Sequence, residues 1–382
     1  MCSKPETYES LVRIAHVPKK HVLTDVPAVF NFRHKKIYAV HTISRNHFCK
    51  NAYGKRGGRG MLENSYPIRT DLALESQERL QEDQADMRGI RVLEERRENG
   101  VIVSTVMIET ENASVAMGRP KGTYITIEAP EMIEEDAGYH RDISLELAKI
   151  MRNLLPGKEI EKNLKKGLEV AALVVGLGNR EVTPDALGPR VVDNLFITRH
   201  ILNEFGKYAF QREDVGKVSG IVPGVMAQTG MECVEILKGV VKETKPDFLI
   251  TVDALAARSI RRLGRTIQLT DAGITPGSGI GNHRNAINRK SVGVPVISLG
   301  VPTVVDAATI VSDAMTEFIS ALSLSDLQKL DERERQELAR ELLSPQLNGL
   351  FVTPKNIDDS IKNLSFLISE GLNIALLGDK EE

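Results

Sequence analysis

The feature that most constrains the fold of this sequence is an alternation of buried-strand and helix patterns through its central half. Continuous apolar runs of strand length occur at 170–176 (VAALVVG), within 247–255 (DFLITVDAL) and at 294–300 (VPVISLG), and helical patterns separate them. An uninterrupted apolar run indicates a strand that is covered on both faces, and strands that alternate with helices favour parallel pairing through crossover connections. The sequence therefore predicts an α/β fold with a mostly parallel sheet flanked by helices.

Weaker patterns predict the remaining elements. Further strands are expected at 101–109, 122–128, 218–222 and 266–271. Helices are expected at 72–86, 142–154, 191–205, 230–243, 305–322, 325–343 and 357–376. No internal repeat or low-complexity linker separates these elements, so residues 72–382 are predicted to form a single α/β domain with peripheral C-terminal helices.

Aspartates follow several of the predicted strands. In an open parallel sheet, ligands bind outside the carboxyl ends of the strands, so the loops at these ends are where chemistry is expected. Asp185 lies in the loop after the first apolar run, and Asp253 stands at the end of the second. The loops after the next two strands add Asp271, His283 and Asp306 as candidates for the same cleft. Asp306 stands at the start of the predicted helix, just before residues 307–322, which favours an N-cap as its role.

Motifs for other chemistries are missing or incomplete. The segment 176–178 (GLG) is followed by Glu181 where a dinucleotide-binding fingerprint needs its third glycine, and neither a P-loop nor a nucleophile elbow occurs. Cys233 falls among apolar positions of a predicted helix, which favours packing over a nucleophilic role. The remaining candidates are the carboxylates of the predicted cleft. Burial can keep one carboxyl group of a pair protonated while the other stays ionised, and such a pair can hydrolyse an amide with activated water.

Charge is distributed unevenly along the chain. Residues 1–60 carry 7 Lys and 5 Arg against 3 acidic residues, a net charge of +9, and the whole chain is at −2, which leaves −11 for residues 61–382. A basic arm with interspersed aromatic residues can bind RNA or an acidic surface. The change of composition at Met61 instead favours upstream sequence that is translated in frame. We expect the natural polypeptide to start at or near Met61, with 1–60 a non-native or disordered leader.

The overall composition excludes several classes of protein. A net charge of −2 provides no global basic field for nucleic acid, and no apolar run approaches the length that spans a bilayer. Three cysteines are too few for a disulfide framework, which favours a reducing compartment. We therefore expect a cytoplasmic protein without direct contact to nucleic acid or membrane.

Six long stretches carry a resemblance to a known family. They are PIRTDLALE (67–75), GNREVTPDALGP (178–189), GIVPGVMAQTGMEC (220–233), TVDALAARS (251–259), LTDAGITPGSGIGNHR (269–284) and LGVPTVVDA (299–307). From Tyr66 to the C-terminus the chain resembles, collinearly, the germination protease (spore protease) of spore-forming Firmicutes. The leader 1–60 has no counterpart in that family.

The resemblance implies an endopeptidase that degrades small acid-soluble spore proteins, which coat spore DNA, in the spore core during germination. It implies a zymogen that removes its own propeptide, 61–71 in this chain, by cleavage between Asp71 and Leu72. It also implies a homotetramer, and no cofactor is expected. The family's proposed catalytic aspartates fall on Asp185 and Asp253, which are also the residues that strand-end reasoning selects.

The fold that the resemblance implies is phosphorylase/hydrolase-like and similar to that of hydrogenase maturation peptidases. Those peptidases carry a G-N-x-x-x-x-D-D-G segment, which GNREVTPDALG matches in part. They bind nickel through acidic and histidine ligands. In this chain Ala186 replaces the second aspartate of the pair, which weakens a metal-binding interpretation.

Three interpretations of the cleft stay open at this point. The leading one is an endopeptidase whose acid pair is Asp185 and Asp253. The second is a metallopeptidase in which Asp185, Asp253 and His283 surround a divalent ion. The third is a non-catalytic protein that binds the spore DNA-coat proteins. They predict chelator-resistant cleavage, chelator-sensitive cleavage and binding without cleavage, respectively.

Overall fold

The computed structural model of the protein covers the part of the chain that carries the predicted strands. It describes residues 70–134, 136–155, 170–210, 215–280, 284–311, 313–314 and 349–377. The predicted leader 1–60, most of the predicted propeptide, His283 and the helix predicted at 325–343 lie outside the described residues.

The elements of the described residues follow the predicted alternation. The strands are β1 (Ile90–Arg96), β2 (Ile102–Ile108), β3 (Gly122–Glu128), β4 (Ala171–Gly176), β5 (Lys217–Ile221), β6 (Phe248–Ala257), β7 (Thr266–Thr270), β8 (Val296–Asp306) and β9 (Phe351–Val352). The helices are α1 (Ala73–Glu82), α2 (Glu111–Met117), α3 (Ala137–Leu154), α4 (Leu187–Asp193), α5 (Arg199–Phe205), α6 (Met226–Thr229), α7 (Cys233–Thr244), α8 (Arg289–Val292) and α9 (Ile357–Leu377). None of the described helices combines the length and the apolar character that a membrane span requires.

All these strands join one sheet, in the order β1-β2-β3-β7-β8-β6-β4-β5, with β9 paired to β8. The strands β5, β4, β6 and β8 pair in parallel, whereas β1, β2, β3 and β7 extend the sheet in antiparallel fashion as far as β8. The α/β class with flanking helices is confirmed, but the sheet is mixed rather than mostly parallel. The physical reason is connection length: a parallel crossover needs about a dozen residues or more, and the short link from β6 to β7 provides fewer.

Different helices cover the two faces of the sheet. On one face α3, α4 and α9 pack against the largest apolar cluster, which includes Val174, Ile250 and Ile297. On the other face α7 packs against a smaller cluster that includes Leu173 and Leu249. The inner strands are therefore buried on both faces, as their continuous apolar runs predict.

The helix predicted at 191–205 is in fact two helices, α4 and α5. Thr198, which is fully buried, lies at the start of α5. Its Oγ1 donates to the carbonyl oxygen of Gly216 at 2.6 Å and accepts from the backbone N–H of Val218 at 2.8 Å. This contact ties the chain to the start of β5, so that α5 cannot continue the axis of α4.

The carboxyl end of β4 and the start of α4 meet at two glycines. A Cβ atom on Gly176 would lie 2.3 Å from the carbonyl oxygen of Gly188. A Cβ atom on Gly188 would lie 2.4 Å from the carbonyl oxygens of both Leu177 and Val252. Only glycine allows this approach, which places the turn before α4 against the ends of β4 and β6.

We predict that Gly188→Ala destabilises the protein by about 2 kcal/mol or more, because the added methyl group overlaps backbone atoms that cannot rotate away. Gly239→Ala is the matched control, since this glycine lies in α7 and nothing stands within 4 Å of its added Cβ. The control is expected to be neutral or to stabilise by up to about 1 kcal/mol. Urea unfolding of both variants measures the difference, and equal stabilities would contradict the packing argument.

Candidate active site

The parallel pairing of β4 with β6 brings Asp185 and Asp253 to the same edge of the sheet. Gly176, the last residue of β4, pairs with Val252, so Asp253 is the first residue of β6 beyond the end of its neighbour. Asp185 ends a short 3₁₀ turn that follows β4. The backbone N–H of Asn179 donates to Oδ2 of Asp185 at 2.8 Å and to its carbonyl oxygen at 3.1 Å, which folds the turn back over the strand end.

Both carboxyl groups have raised pKa values. Burial raises the pKa of Asp185 to about 6, against the opposing effect of the hydrogen bond from Asn179. The side chain of Asp253 is only 5% exposed, and burial raises its pKa well above the ordinary value. The negative charges of Asp185 and Asp71 raise the pKa of Asp253 further, and a hydrogen bond from Ala254 opposes them. Burial and neighbouring negative charge thus disfavour the ionised form of Asp253, whereas burial alone raises the pKa of Asp185.

A polar row crosses the sheet at the level of Asp253. Gly300 of β8 pairs with Asp253 on one side and with Gln268 of β7 on the other. Residues paired directly across neighbouring strands project on the same face, so Asp253 and Gln268 flank a residue that has no side chain. Gln268 is 7% exposed. The candidate site thus includes a buried amide as well as two carboxyl groups.

Asp71 is bound along the outer end of β6. Its backbone N–H donates to the carbonyl oxygen of Ala256 at 2.8 Å, and the N–H of Ala256 donates to its Oδ2 at 2.9 Å. Oγ of Ser278, in the glycine-rich loop after β7, donates to Oδ1 of Asp71 at 2.7 Å. A Cβ atom on Gly279 would lie 2.1 Å from Oδ2, so this loop closes tightly over the Asp71 carboxylate. Asp71 is therefore bound to Ala256, the residue of β6 that lies three positions after Asp253.

The residues after Asp71 are held as firmly. Leu72 is fully buried in an apolar cluster with Leu255, Leu263 and Val305. Glu75 is also buried, and it accepts hydrogen bonds from the backbone N–H groups of Arg258 at 2.7 Å and Ser259 at 3.0 Å. We call residues 70–75 the docked segment.

Two further candidates have structural roles in the described residues. Asp271 accepts a hydrogen bond from the N–H of Thr123 at 2.7 Å, which joins the ends of β7 and β3. Because β7 runs antiparallel to β8, the carboxyl end of β7, which Asp271 follows, lies at the opposite edge of the sheet from the carboxyl ends of β4, β6 and β8, and the expectation of a common rim is wrong for it. Asp306 is buried, and its Oδ1 accepts from the N–H of Ala308 at 2.9 Å, the contact of the predicted N-cap. His283 lies outside the described residues.

Cys233 stands near the pair but not as a reactive thiol. It is half-buried, and its Sγ donates to the carbonyl oxygen of Gly224 at 3.4 Å. Burial, followed by the charges of Asp253 and Glu232, raises its pKa, which disfavours the nucleophilic thiolate. It packs against the smaller apolar cluster, which includes Leu173 and Leu249, and this agrees with the predicted role in packing.

A metal site is not formed by the described part of the chain. No group of three or more His, Cys, Asp or Glu side chains there is arranged to hold a metal ion. The metal-binding interpretation depends on His283, which belongs to the part that the structure does not describe.

Together, fold and geometry define an α/β protein that presents two carboxyl groups of raised pKa at the carboxyl edge of the parallel half of its sheet. The chain belongs to the germination protease family, whose model, described as germination protease, matches residues 68–324 and 320–382. Because the family is one of proteases, the chain is an endopeptidase, as its sequence predicts.

Curated relatives named germination protease cover most of the chain. The protein of Caldanaerobacter subterraneus subsp. tengcongensis is 46% identical over 318 residues, which are 81% of this chain and 94% of the relative. That of Clostridium perfringens is 42% identical over 321 residues (81% and 95%), and that of Bacillus cereus is 38% identical over 358 residues (81% and 94%). Among solved structures, the [NiFe] hydrogenase maturation protease HycI of Thermococcus kodakarensis KOD1 matches with a TM-score of 0.28 and 18% identity, over 58% of this chain and 98% of that one.

We predict that Asp185→Asn gains stability relative to the wild type as pH rises. The folded-state pKa of Asp185 is raised from 3.8 to about 6, so its contribution to stability is complete only below pH 3.8 and is lost as pH increases through 6. Asparagine does not titrate. The free energy of unfolding of the variant, relative to that of the wild type, should therefore increase by up to about 3 kcal/mol between about pH 4 and pH 7.5.

Asp193→Asn is the control of opposite sign. A hydrogen bond from Arg180 lowers the pKa of Asp193. The stability of the wild type should therefore increase relative to that of this variant as pH rises through the acid range. Chemical unfolding across the pH range measures both differences. A difference for Asp185→Asn that does not change with pH would contradict the raised pKa.

Proposed function

We propose that this endopeptidase is made as a zymogen, cleaves itself between Asp71 and Leu72, and then degrades small acid-soluble spore proteins in the spore core during germination. Asp185 and Asp253 are its catalytic pair. The observation that carries the proposal is that two carboxyl groups of raised pKa meet at adjacent strand ends, while the docked segment lies along the same strand as one of them. Membership of the family supports the substrate class and the biological setting.

The two aspartates divide the work of hydrolysis. Asp185, ionised at neutral pH, accepts a proton from water as the water oxygen bonds to the carbonyl carbon. Asp253, kept protonated by burial and by the charge of its partner, donates its proton to the leaving nitrogen as the C–N bond breaks. After these steps Asp185 carries a proton and Asp253 is ionised. The pair returns to its starting state when Asp185 releases its proton to bulk water and Asp253 takes one up.

The docked segment accounts for the inactive precursor. Asp71 and Leu72 occupy the carboxylate and apolar contacts that a substrate with an acidic residue before an apolar one would need. While they remain in place, a second chain cannot bind there. Cleavage and release of the residues up to Asp71 would free the contacts at Ala256 and Ser278 without a change of fold. A homotetramer, supported by the family alone, is the proposed assembly, and sedimentation equilibrium tests it.

We predict that Asp185→Asn and Asp253→Asn each slow both self-processing and cleavage of a purified spore-coat substrate by about 100-fold or more. Asparagine preserves shape and hydrogen bonding but cannot exchange a proton at neutral pH. Asp271→Asn and Asp306→Asn are the matched controls, because both contact backbone N–H groups outside the pair, and they should be much milder. Gel assays measure cleavage, and size-exclusion chromatography confirms assembly; near-normal cleavage by either pair variant would exclude the pair.

The same assay separates the other interpretations. Full inhibition by a chelator that added metal reverses, together with loss of activity in His283→Ala, would favour a metallopeptidase. Binding of the substrate without cleavage by the wild-type protein would favour a non-catalytic binder.

We predict that Leu72→Pro prevents self-processing. Proline changes the backbone at the proposed cleavage site and removes the N–H that Leu72 donates to Oγ1 of Thr70 at 3.0 Å. Leu72→Val is the control, because it keeps the N–H with a side chain of similar size to proline. Mass spectrometry of the processed chain gives the new N-terminus. A mature N-terminus at a residue other than Leu72, or normal processing of Leu72→Pro, would show that the site is wrongly assigned.

A further inference from the structure

The side chain of Gln268 spans the peptide bond that we propose is cleaved. Its Nε2 donates to the carbonyl oxygen of Asp71 at 2.8 Å, and its Oε1 accepts from the backbone N–H of Ala73 at 2.6 Å. The first contact is to the carbonyl oxygen of the Asp71–Leu72 peptide itself, and the second is to the N–H of the next peptide. The inference below rests on the proposed self-cleavage and adds a residue to it.

The orientation of this amide is fixed by its partners. If Nε2 and Oε1 exchanged places, a donor would face the Ala73 N–H and an acceptor would face the Asp71 carbonyl. Because Gln268 is buried, neither group could turn to water instead. Ala73 is the first residue of α1, whose N–H has no partner within the helix, so it needs an outside acceptor. The N–H donor of Gln268 is thus held on the carbonyl oxygen.

Gln268 also stands at the level of the catalytic pair. Gly300 pairs with both Gln268 and Asp253, so their Cα atoms are separated by two strand spacings, about 10 Å, and their side chains share one face. A peptide that lies over this face therefore has a carboxyl group on one side and an amide donor on the other.

A neutral donor suits this position. The pKa of Asp253 is raised by burial and by two neighbouring carboxylates, and the proposed mechanism needs it protonated. A lysine or arginine at position 268 would stabilise the ionised form of Asp253 and remove that proton. An amide stabilises negative charge on an oxygen without adding charge to the site.

We propose that Gln268 is a catalytic residue that stabilises the oxyanion formed during cleavage. When the water oxygen bonds to the Asp71 carbonyl carbon, an electron pair moves onto the carbonyl oxygen, and the Nε2–H of Gln268 donates to that oxygen. The oxygen returns to a carbonyl when the C–N bond breaks. Gln268 transfers no proton and is unchanged at the end, and a substrate bound in place of the docked segment meets the same donor.

Self-processing of the full chain tests this role. Gln268→Met keeps the side chain's length and removes both polar contacts, and we expect it to process about 100-fold more slowly, the loss typical of one oxyanion donor. Thr126→Val is the matched control. Thr126 is the residue of β3 that pairs directly with Gln268, it is fully buried, and its hydroxyl has no hydrogen-bond partner among the described residues. This control should process at the wild-type rate.

Ala73→Pro separates catalysis from anchoring of α1. It removes the N–H that Oε1 accepts but leaves the donor to the Asp71 carbonyl in place. Proline is tolerated at the first position of a helix, and the φ of −87° and ψ of 123° at Leu72 are compatible with a following proline. We expect Ala73→Pro to process faster than Gln268→Met, because it loses the anchoring contact but keeps the donor to the Asp71 carbonyl oxygen.

Each outcome decides between the proposals. A wild-type chain that does not cleave at Asp71–Leu72 overturns the proposed self-processing and this inference with it. If the wild type cleaves and Gln268→Met processes at a similar rate, the inference alone is overturned. Equal slowing by Gln268→Met and Ala73→Pro would overturn it in favour of an anchor. If thermal unfolding shows that Gln268→Met does not fold, Gln268→Asn replaces it, since its amide is one methylene too short to reach the Asp71 oxygen. The self-processing rate of Gln268→Asn is then compared with that of the wild type in the same way.

Discussion

The structure depends on β6 running beyond the end of β4. Up to Val252 the strand has neighbours on both sides, but from Asp253 onward β8 is its only strand partner among the described residues, because β4 has ended. Asp253 is buried at this point, and no described strand on the β4 side covers the backbone of the next residues. The docked segment takes that vacant edge, where Asp71 exchanges hydrogen bonds with Ala256. The same strand thus carries the proposed catalytic acid Asp253 and binds the segment that we propose the protein cleaves.

Positive charge is placed so that it holds the docked segment without lowering the pKa of the pair. Arg262 is mostly buried and forms ion pairs with Glu75, Glu78 and Glu128. Arg119 donates from Nη2 to the carbonyl oxygen of Thr70 at 2.9 Å. Both guanidinium groups bind residues of the docked segment and of α1. The effects that raise the pKa of Asp253 come from burial and from carboxylates, with a backbone N–H as the opposing contact.

The sequence located the aspartate pair because the signal was local. VAALVVG and DFLITVDAL are apolar runs that end next to a polar residue, and parallel strands bring such ends to one edge. Strand β1 gave no comparable signal, since IRVLEER is charged and mostly exposed at the edge of the sheet. The sequence carries a weaker signal for Gln268: in TIQLT it alternates with Ile267 and Leu269, and a glutamine within a buried strand needs hydrogen-bond partners.

The sequence by itself therefore determined the α/β class, the buried strands β4 and β6, and the position of Asp185 and Asp253 at their ends. Hydrophobic periodicity and strand-end geometry suffice for these features, because both are set within a few residues along the chain. The tertiary structure alone decided the direction of β7, which removed Asp271 from the edge and placed Gln268 beside Gly300. It alone decided that Asp71 pairs with Ala256, 185 residues away. Such contacts depend on strand order and register, and these are chosen by the packing of the whole sheet rather than by any one segment.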